Sequence, residues 1–265
     1  MQQATDFLAE SEDLDALISR LSDDDLEQLT AFKSWSINTV IRHLHFWNRM
    51  ALLALQDGEA FRVALGPVSD ALSGGASLAE HEARIIDLSG RALVNQWRSM
   101  YRELAEAYGR ADPSQRCTWA GPSMSARSCI TARQMETWAH GQEVYDCLGQ
   151  VRINTDRLRN VVILGVNTFE WTFRVRGEEP PTPKPGLALE APSGEQWVFG
   201  DLEAGSVIRG SAEAFAQVVT QTRHVEDTDL RYSGESAERW MYNAQCFFGG
   251  PTPPPSPGTR FTRIV

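Results

Sequence analysis

The sequence changes character at residues 177–186, GEEPPTPKPG, and this change constrains the fold more than any other feature. Proline lacks a backbone N–H and clashes with the preceding helical turn, so the stretch cannot continue a helix and predicts a linker. Before it, apolar residues recur at three- and four-residue steps over long runs, which indicates amphipathic helices. After it, short β-prone runs alternate with turn signals. The sequence therefore predicts an α+β chain, with a helical bundle over residues 1–176 and a small α+β domain over residues 187–250.

Individual elements follow from the periodicity and from capping residues. In the first part, helices are expected over residues 36–56, 77–108, 131–148 and 155–177, with weaker helical signals over 5–29. Residues 59–77 are mixed, and residues 109–128 read as a loop. In the second part, strands are expected over residues 187–191, 196–199, 206–209 and 230–232, and helices over 211–219 and 236–248. The Pro-rich tail, 251–265, is expected to run along the surface without regular structure.

Composition excludes several classes of protein. The formal net charge of -10 argues against nucleic-acid binding, which needs a basic face. The start, MQQATDFLAESEDL, has no basic and apolar segments of a signal peptide, and no apolar run is long enough to span a membrane. The four cysteines show no CxxC pairing, which favours reduced thiols in a cytoplasmic protein. They are Cys117, Cys129, Cys147 and Cys246.

The helix at 131–148 carries a candidate metal-binding pair, Glu136 and His140. Residues four apart lie on one helix face, so a carboxylate and an imidazole at this spacing can bind one metal ion. Both lie among apolar residues, and burying them without partners would be costly. By itself this helix leaves a second interpretation open, in which Glu136 only hydrogen-bonds His140 or both lie at the surface.

The helix at 36–56 offers two histidines, and its apolar stripe distinguishes them. His43 falls three residues after Val40 and four before Trp47, on the stripe, whereas His45 is rotated by about 200° from it. His43 with Glu136 and His140 gives a His2Glu set, which leaves a metal position open for water or substrate. By ligand type this set suits Zn²⁺ first, and also Ni²⁺, Fe²⁺ or Mn²⁺.

Other polar residues are candidates for substrate binding. His45 is either a fourth ligand or substrate contact, or a residue that packs at the bundle surface. Asn48 could lie near the mouth of the pocket. The loop at 119–129 leads into the metal helix and offers Trp119, Ser125 and Arg127, of which Arg127 could hold a substrate carboxylate.

These motifs make the sequence similar to the DinB-like metal-binding bundle proteins, and in particular to the mycothiol-dependent maleylpyruvate isomerase branch. The matching stretches are Trp35-Ser36 leading into His43-Leu44, and Glu136-x-x-x-His140 followed by Glu143. The resemblance implies an up-down four-helix bundle whose metal ligands are His43, Glu136 and His140. The family usually has Asp where this chain has Glu143.

Glu143 lies on the same side of the helix as His140, so it could be a proton-transfer group or hydrogen-bond acceptor beside the metal, or an exposed carboxylate. The resemblance further implies that the second domain is sterol-carrier-like. In that branch this domain closes over the metal cleft and contributes an arginine, a role that would fall on Arg223. It also implies a thiol cosubstrate such as mycothiol.

Three functions are compatible with these residues. The first is a metal-dependent isomerase or thiol transferase, a monomer or homodimer, in which the metal acts as a Lewis acid on a thiol, water or carbonyl of a small-molecule substrate. The second is a non-catalytic metal-containing protein that binds a small molecule in a cavity of the second domain. The third is a helical partner-binding protein in which the three candidate ligands coincide by chance.

Overall fold

The computed structural model describes residues 1–264, and the chain divides in it into two compact units, Met1–Cys147 and Leu148–Val265. The first unit is helical apart from a short hairpin, and the second combines helices with a four-stranded sheet. The predicted α+β class is therefore confirmed. The sequence-based domains, 1–176 and 187–250 with a linker between them, stay predictions.

The first unit contains six helices and two short strands among the described residues. They are α1 (Gln2–Ile18), α2 (Ile37–Gln56), α3 (Gly58–Ser73), α4 (Leu78–Ile85), α5 (Gly90–Arg110), β1 (Arg116–Cys117), β2 (Met124–Ser125) and α6 (Ala126–Cys147). Helices α1 and α2 each pack against both α5 and α6, which makes these four a helical bundle. Residues 58–73, mixed in sequence, form a helix, and the hairpin β1–β2 lies inside the region predicted as loop.

One helix predicted over residues 77–108 is instead two helices, α4 and α5, so that prediction was wrong. Gly90 begins α5 with a φ of +57°, a conformation that side chains disfavour, and its N–H donates to Asn38 Oδ1 at 2.9 Å. Arg42 Nη2 donates to the Leu88 carbonyl at 2.9 Å. These two tertiary hydrogen bonds fix the break against α2, and α4 consequently packs on α2 as a separate element.

The bundle core follows the apolar stripes of its helices. On α5 the buried aromatic residues Trp97, Tyr101 and Tyr108 are spaced by four and seven positions, as one face of a helix requires. Burying a large apolar side chain fully stabilises a fold by about 1.5–3 kcal/mol. The Tyr108 hydroxyl donates to the Ala51 carbonyl at 2.9 Å, which ties α5 to α2.

A partly buried ion pair ties α1 to α5. Asp15 accepts hydrogen bonds from Arg98 Nε at 2.6 Å and Arg98 Nη2 at 2.8 Å, and a third from the Tyr101 hydroxyl at 3.1 Å. The two-point contact fixes the geometry of both side chains, which a single contact would not.

The second unit is built around a sheet with the strand order β4-β3-β5-β6. Its elements are α7 (Arg159–Asn167), α8 (Phe169–Arg174), β3 (Gly186–Glu190), β4 (Gln196–Phe199), β5 (Val207–Ser211), α9 (Ala212–Val219), β6 (Arg231–Ser233) and α10 (Glu235–Met241). Strand β3 pairs antiparallel with β4 and parallel with β5, which pairs antiparallel with β6. The predicted helix over 155–177 is interrupted at Thr168, whose hydroxyl donates to the Leu164 carbonyl at 2.8 Å.

Aromatic residues fill the core of the second unit. The Trp240 ring lies edge-on to Phe169 and Phe215, with centroid distances of 4.9 and 5.5 Å. Residues 251–264 form no helix or strand, and Thr252 N donates to Gln245 Oε1 at 3.0 Å. Throughout the described part of the chain, no helix combines the length and the hydropathy that a membrane crossing requires.

We expect Asp15→Ala to lower the free energy of unfolding of the metal-free protein by about 1.5–3 kcal/mol, because Arg98 and Tyr101 lose a charged acceptor. Glu106→Ala is the matched control, because it breaks an exposed pair with Arg110 on the same helix and should cost less than about 0.5 kcal/mol. Denaturant titration measures both. Equal losses in the two variants would contradict a special role for Asp15.

Candidate metal centre

Helix α6 presents Glu136 and His140 one turn apart. The helix begins after Ser125, whose hydroxyl accepts a hydrogen bond from the Ser128 N–H at 3.1 Å and so caps the first turn. His140 is 8% exposed, and the Glu136 side chain is 25% exposed. The pair is therefore largely buried, and only the carboxylate keeps appreciable contact with solvent.

Helix α2 supplies the third group. Ser36 caps it by accepting from the Thr39 N–H at 3.2 Å, and the capping position agrees with the predicted one. His43 lies seven residues, or about two turns, after this cap on the buried face and is 7% exposed.

The three side chains converge on one point. Glu136 Oε2 lies 3.7 Å from His43 Nε2 and 3.5 Å from His140 Nε2. One donor atom from each residue lies within 4.8 Å of the others, so the group could hold a metal ion. Ligands at about 2.0–2.2 Å from a tetrahedral ion are separated by about 3.4 Å, and the two separations from Glu136 Oε2 lie near this value.

The electrostatics of the group also suit a cation. Burial alone would raise the pKa of Glu136, but hydrogen bonding to His140 and His43 outweighs it and holds that pKa well below its usual range. Burial alone would lower the pKa of His43, but the Glu82 charge and the Glu136 contact outweigh it and raise the pKa to about 9. Burial lowers the pKa of His140. The ionised Glu136 carboxylate therefore favours the protonated, positively charged form of the neighbouring His43 imidazole.

Glu82, on α4, orients His43, and the sequence analysis missed it. Its Oε1 lies 2.8 Å from His43 Nδ1 and accepts a hydrogen bond from Trp47 Nε1 at 3.0 Å. The available signal was that Glu82 falls four residues after Leu78 and three before Ile85, which places it on one face of the predicted helix with two apolar residues. A carboxylate on such a stripe needs a buried partner.

Aromatic rings orient His140 instead. Its imidazole stacks on Trp35 with a centroid distance of 5.8 Å and meets Phe32 edge-on at 5.1 Å. Both rings come from the loop before α2, in which Lys33 and Ser34 have φ values of 51° and 55°. This left-handed conformation is unfavourable for residues other than glycine. The loop that places the two rings therefore lowers the free energy of unfolding.

Arg133, also on α6, is a second residue that the sequence analysis missed. It is 2% exposed, and its Nε donates to Asn48 Oδ1 at 3.1 Å. Burial lowers the pKa of Arg133, yet a guanidinium stays charged in proteins. Its positive charge lies one turn before Glu136 on the same helix and favours the ionised carboxylate.

Three further candidates lie on the same helices and are all buried. Asn48 is completely buried, and its Oδ1 accepts a hydrogen bond from Arg133, while its place near the mouth of a pocket stays a prediction. His45 is buried outside the ligand group, and burial, followed by the charge of Arg49, lowers its pKa to about 4. Glu143 is 2% exposed, which excludes its interpretation as an exposed carboxylate. The substrate or proton-transfer roles of these residues stay predictions.

The other candidates lie outside the group of three residues, in the first unit or in the second. Arg127 is exposed in the first turn of α6, nine residues before Glu136, which corresponds to about 13 Å along the helix. With Ser125 it lines an open cleft of about 380 Å³. Trp119 stacks on Phe61 at 5.5 Å.

Arg223 belongs to the second unit, where its Nη1 donates to the Thr222 carbonyl at 2.8 Å. The substrate-binding roles of Arg127 and Arg223 stay predictions.

The cysteines agree with the sequence analysis. All four are buried, and none forms a disulfide in the described part of the chain. Cys129 accepts a hydrogen bond from the Tyr108 hydroxyl at 3.0 Å, as a small residue of the bundle core does.

A helical bundle with a buried His2Glu group defines the class of this protein, and comparison with known proteins identifies its family. The model for the mycothiol maleylpyruvate isomerase N-terminal domain matches residues 7–145, which is more than half of the chain and contains all three residues of the group. The chain belongs to this family, and the resemblance noted in its motifs is confirmed.

Relatives and solved structures extend the likeness beyond the bundle. Two uncharacterized proteins from strains of Mycobacterium tuberculosis are each 38% identical over 246 residues, which cover 93% of this chain and 95% of the relative. The solved mycothiol-dependent maleylpyruvate isomerase has a TM-score of 0.52 at 18% identity, covering 82% of this chain and 87% of that one. A single-substitution variant of it gives 0.54 at 16% identity, covering 86% and 91%. At these identities the solved structures show a shared fold.

We expect Ser34→Gly to raise the free energy of unfolding by up to about 1 kcal/mol, because glycine relieves the left-handed backbone at this position. Ala31→Gly, in the same loop but without a positive φ, is the control and should lower it by about 0.5–1 kcal/mol through the flexibility of the unfolded chain. Thermal or denaturant unfolding measures both. A loss of stability in Ser34→Gly would show that the loop carries no such strain.

Proposed function

We propose that this protein is a divalent-metal-dependent enzyme of the isomerase or thiol transferase class that uses a low-molecular-weight thiol such as mycothiol. The observation that carries the proposal is the convergence of His43, Glu136 and His140 within 4.8 Å of one another, inside a family whose description names mycothiol and maleylpyruvate. Zn²⁺ is the metal proposed first, since two imidazoles, one carboxylate and an open position are typical of catalytic zinc. Ni²⁺, Fe²⁺ and Mn²⁺ accept the same ligand types.

The side chains around the group support a reactive site over a closed structural one. Three protein donors leave a tetrahedral position for an outside ligand, and the Glu136 side chain, at 25% exposed, marks the accessible side. A bound divalent ion would supply Lewis-acid chemistry to a thiol, water or carbonyl group in that position. Phe32 and Trp35 cover His140 and exclude water from that ligand, which strengthens electrostatic interactions at the site.

Glu143 is the proposed proton-transfer residue of this chain. It lies three residues beyond His140 on α6 and is 2% exposed, so its carboxylate is enclosed by protein. Enclosure of this kind is typical of groups that exchange protons with a substrate. The resemblance implies the shorter Asp at this position. A comparison of Glu143 with Asp therefore tests whether the length of the side chain matters for proton transfer.

The alternative function, small-molecule binding without catalysis, requires an apolar cavity in the second unit. The cleft of about 340 Å³ found there is half-open, and charged and polar residues contribute to its lining, among them Glu235, Ser236 and Arg239. Such a lining does not favour an apolar ligand. We therefore adopt the enzymatic proposal and keep binding without turnover as an outcome of its tests.

We expect the purified protein to contain about one divalent ion per chain, and His140→Ala and Glu136→Gln to contain little, since each removes one of only three protein ligands. Elemental analysis after purification without chelators measures this and identifies the metal. His45→Ala is the matched control, a buried histidine on α2 outside the group, and should retain the metal. Equal and near-zero metal in wild type and His140→Ala would refute the metal site.

We expect thiol-dependent turnover of maleylpyruvate by the metal-loaded protein, and a decrease in kcat of about 10²–10⁴ in Glu143→Gln at unchanged metal content. Loss of maleylpyruvate, followed by NMR with and without mycothiol, measures the reaction. Glu143→Asp is the control, because it keeps a carboxylate at this position and introduces the residue that is usual in the family. Metal binding without turnover under any thiol would favour the non-catalytic alternative, and full activity in Glu143→Gln would exclude proton transfer by this residue.

A further inference from the structure

We infer that Glu82 positions His43 for metal binding, so that a carboxylate on α4 sets the metal affinity of a site whose ligands lie on α2 and α6. This inference rests on the proposed function of the site. Glu82 is not one of the three proposed metal ligands and would act on the metal only through His43. It is therefore a positioning residue.

The direction of the hydrogen bonds decides which nitrogen of His43 faces the metal site. Trp47 Nε1 can only donate, and it donates to Glu82 Oε1 at 3.0 Å, so this oxygen acts as an acceptor. His43 Nδ1 lies 2.8 Å from the same oxygen and accordingly donates its proton to it. The opposite nitrogen, Nε2, then points at Glu136 Oε2, 3.7 Å away, as a metal ligand must.

The carboxylate is held rigidly. Glu82 is completely buried on α4, whose first turn is closed by a capping box between Ser77 and Glu80. The segment after α4 is fixed to α2 by the hydrogen bond from Arg42 to the Leu88 carbonyl. A fixed acceptor restricts the rotation of the His43 ring, so less conformational freedom is lost when the metal binds.

A purely structural ion pair would use both carboxylate oxygens. Here Oε1 accepts both hydrogen bonds, and Oε2 is buried with no hydrogen-bond partner among the described residues. An unsatisfied buried carboxylate oxygen is unfavourable for stability. The placement is explained by the demand for one strong acceptor behind His43, which is the arrangement that orients histidine ligands in metal sites.

The test compares Glu82→Leu, which removes the acceptor, with Glu82→Gln, which keeps an acceptor oxygen but not the charge. We expect the dissociation constant for Zn²⁺, measured by competition with a chromophoric chelator, to rise about 10–100-fold in Glu82→Leu and less in Glu82→Gln. In the metal-free protein, the Nδ1–H proton of ¹⁵N-labelled His43 should give a downfield NMR signal in wild type and Glu82→Gln that disappears in Glu82→Leu.

Glu80→Gln is the matched control, because it weakens the cap of α4 without touching His43. It should lower thermal stability and leave the dissociation constant within about twofold. If it weakens Zn²⁺ binding as much as Glu82→Leu, or if Glu82→Leu binds Zn²⁺ as tightly as wild type, the inference is overturned while the metal site stands. If wild type binds no Zn²⁺, the proposed function fails, and the Nδ1–H signal still reports whether Glu82 holds His43.

Discussion

Polar groups that leave water must find partners inside the protein, and this requirement shapes the interior of the first unit. Two imidazoles, two carboxylates and a guanidinium are buried or largely buried between α2, α4 and α6. Any one of them alone would be strongly destabilising. Each of them has a polar partner, since Glu82 Oε1 accepts from His43, Glu136 lies between both histidines, and Asn48 accepts from Arg133. The three candidate ligands are therefore part of a larger cluster of paired charges between these helices.

The two histidines are held by different kinds of contact. A hydrogen bond to a buried carboxylate fixes His43, whereas His140 stacks on Trp35 and meets Phe32 edge-on, both from a strained loop. Glu136 is the most exposed of the three side chains, at 25% compared with 8% for His43 and 10% for His140. A site with two fixed ligands and one adjustable ligand can accept an ion without rearrangement of its helices, and its accessible side lies at the adjustable carboxylate.

The family match and the site support each other at different levels of detail. The match over residues 7–145 covers the bundle and all three residues of the group, and the relatives at 38% identity span nearly the whole chain. Family membership therefore brings the fold, whereas the reaction depends on particular side chains. Glu143 is the clearest example, because the family match covers this residue but does not define what its carboxylate does.

The sequence by itself determined the α+β class, the helices that carry His43, Glu136 and His140, and the choice of His43 over His45. These are properties of periodicity along one helix, which a sequence displays directly. Only the tertiary structure decided the break between α4 and α5, the burial of Asn48 and Glu143, and the roles of Glu82 and Arg133. Glu82 lies 39 residues from His43 along the chain, and Arg133 lies 85 residues from Asn48. Contacts across such separations depend on how helices pack, and local spacing carries no record of them.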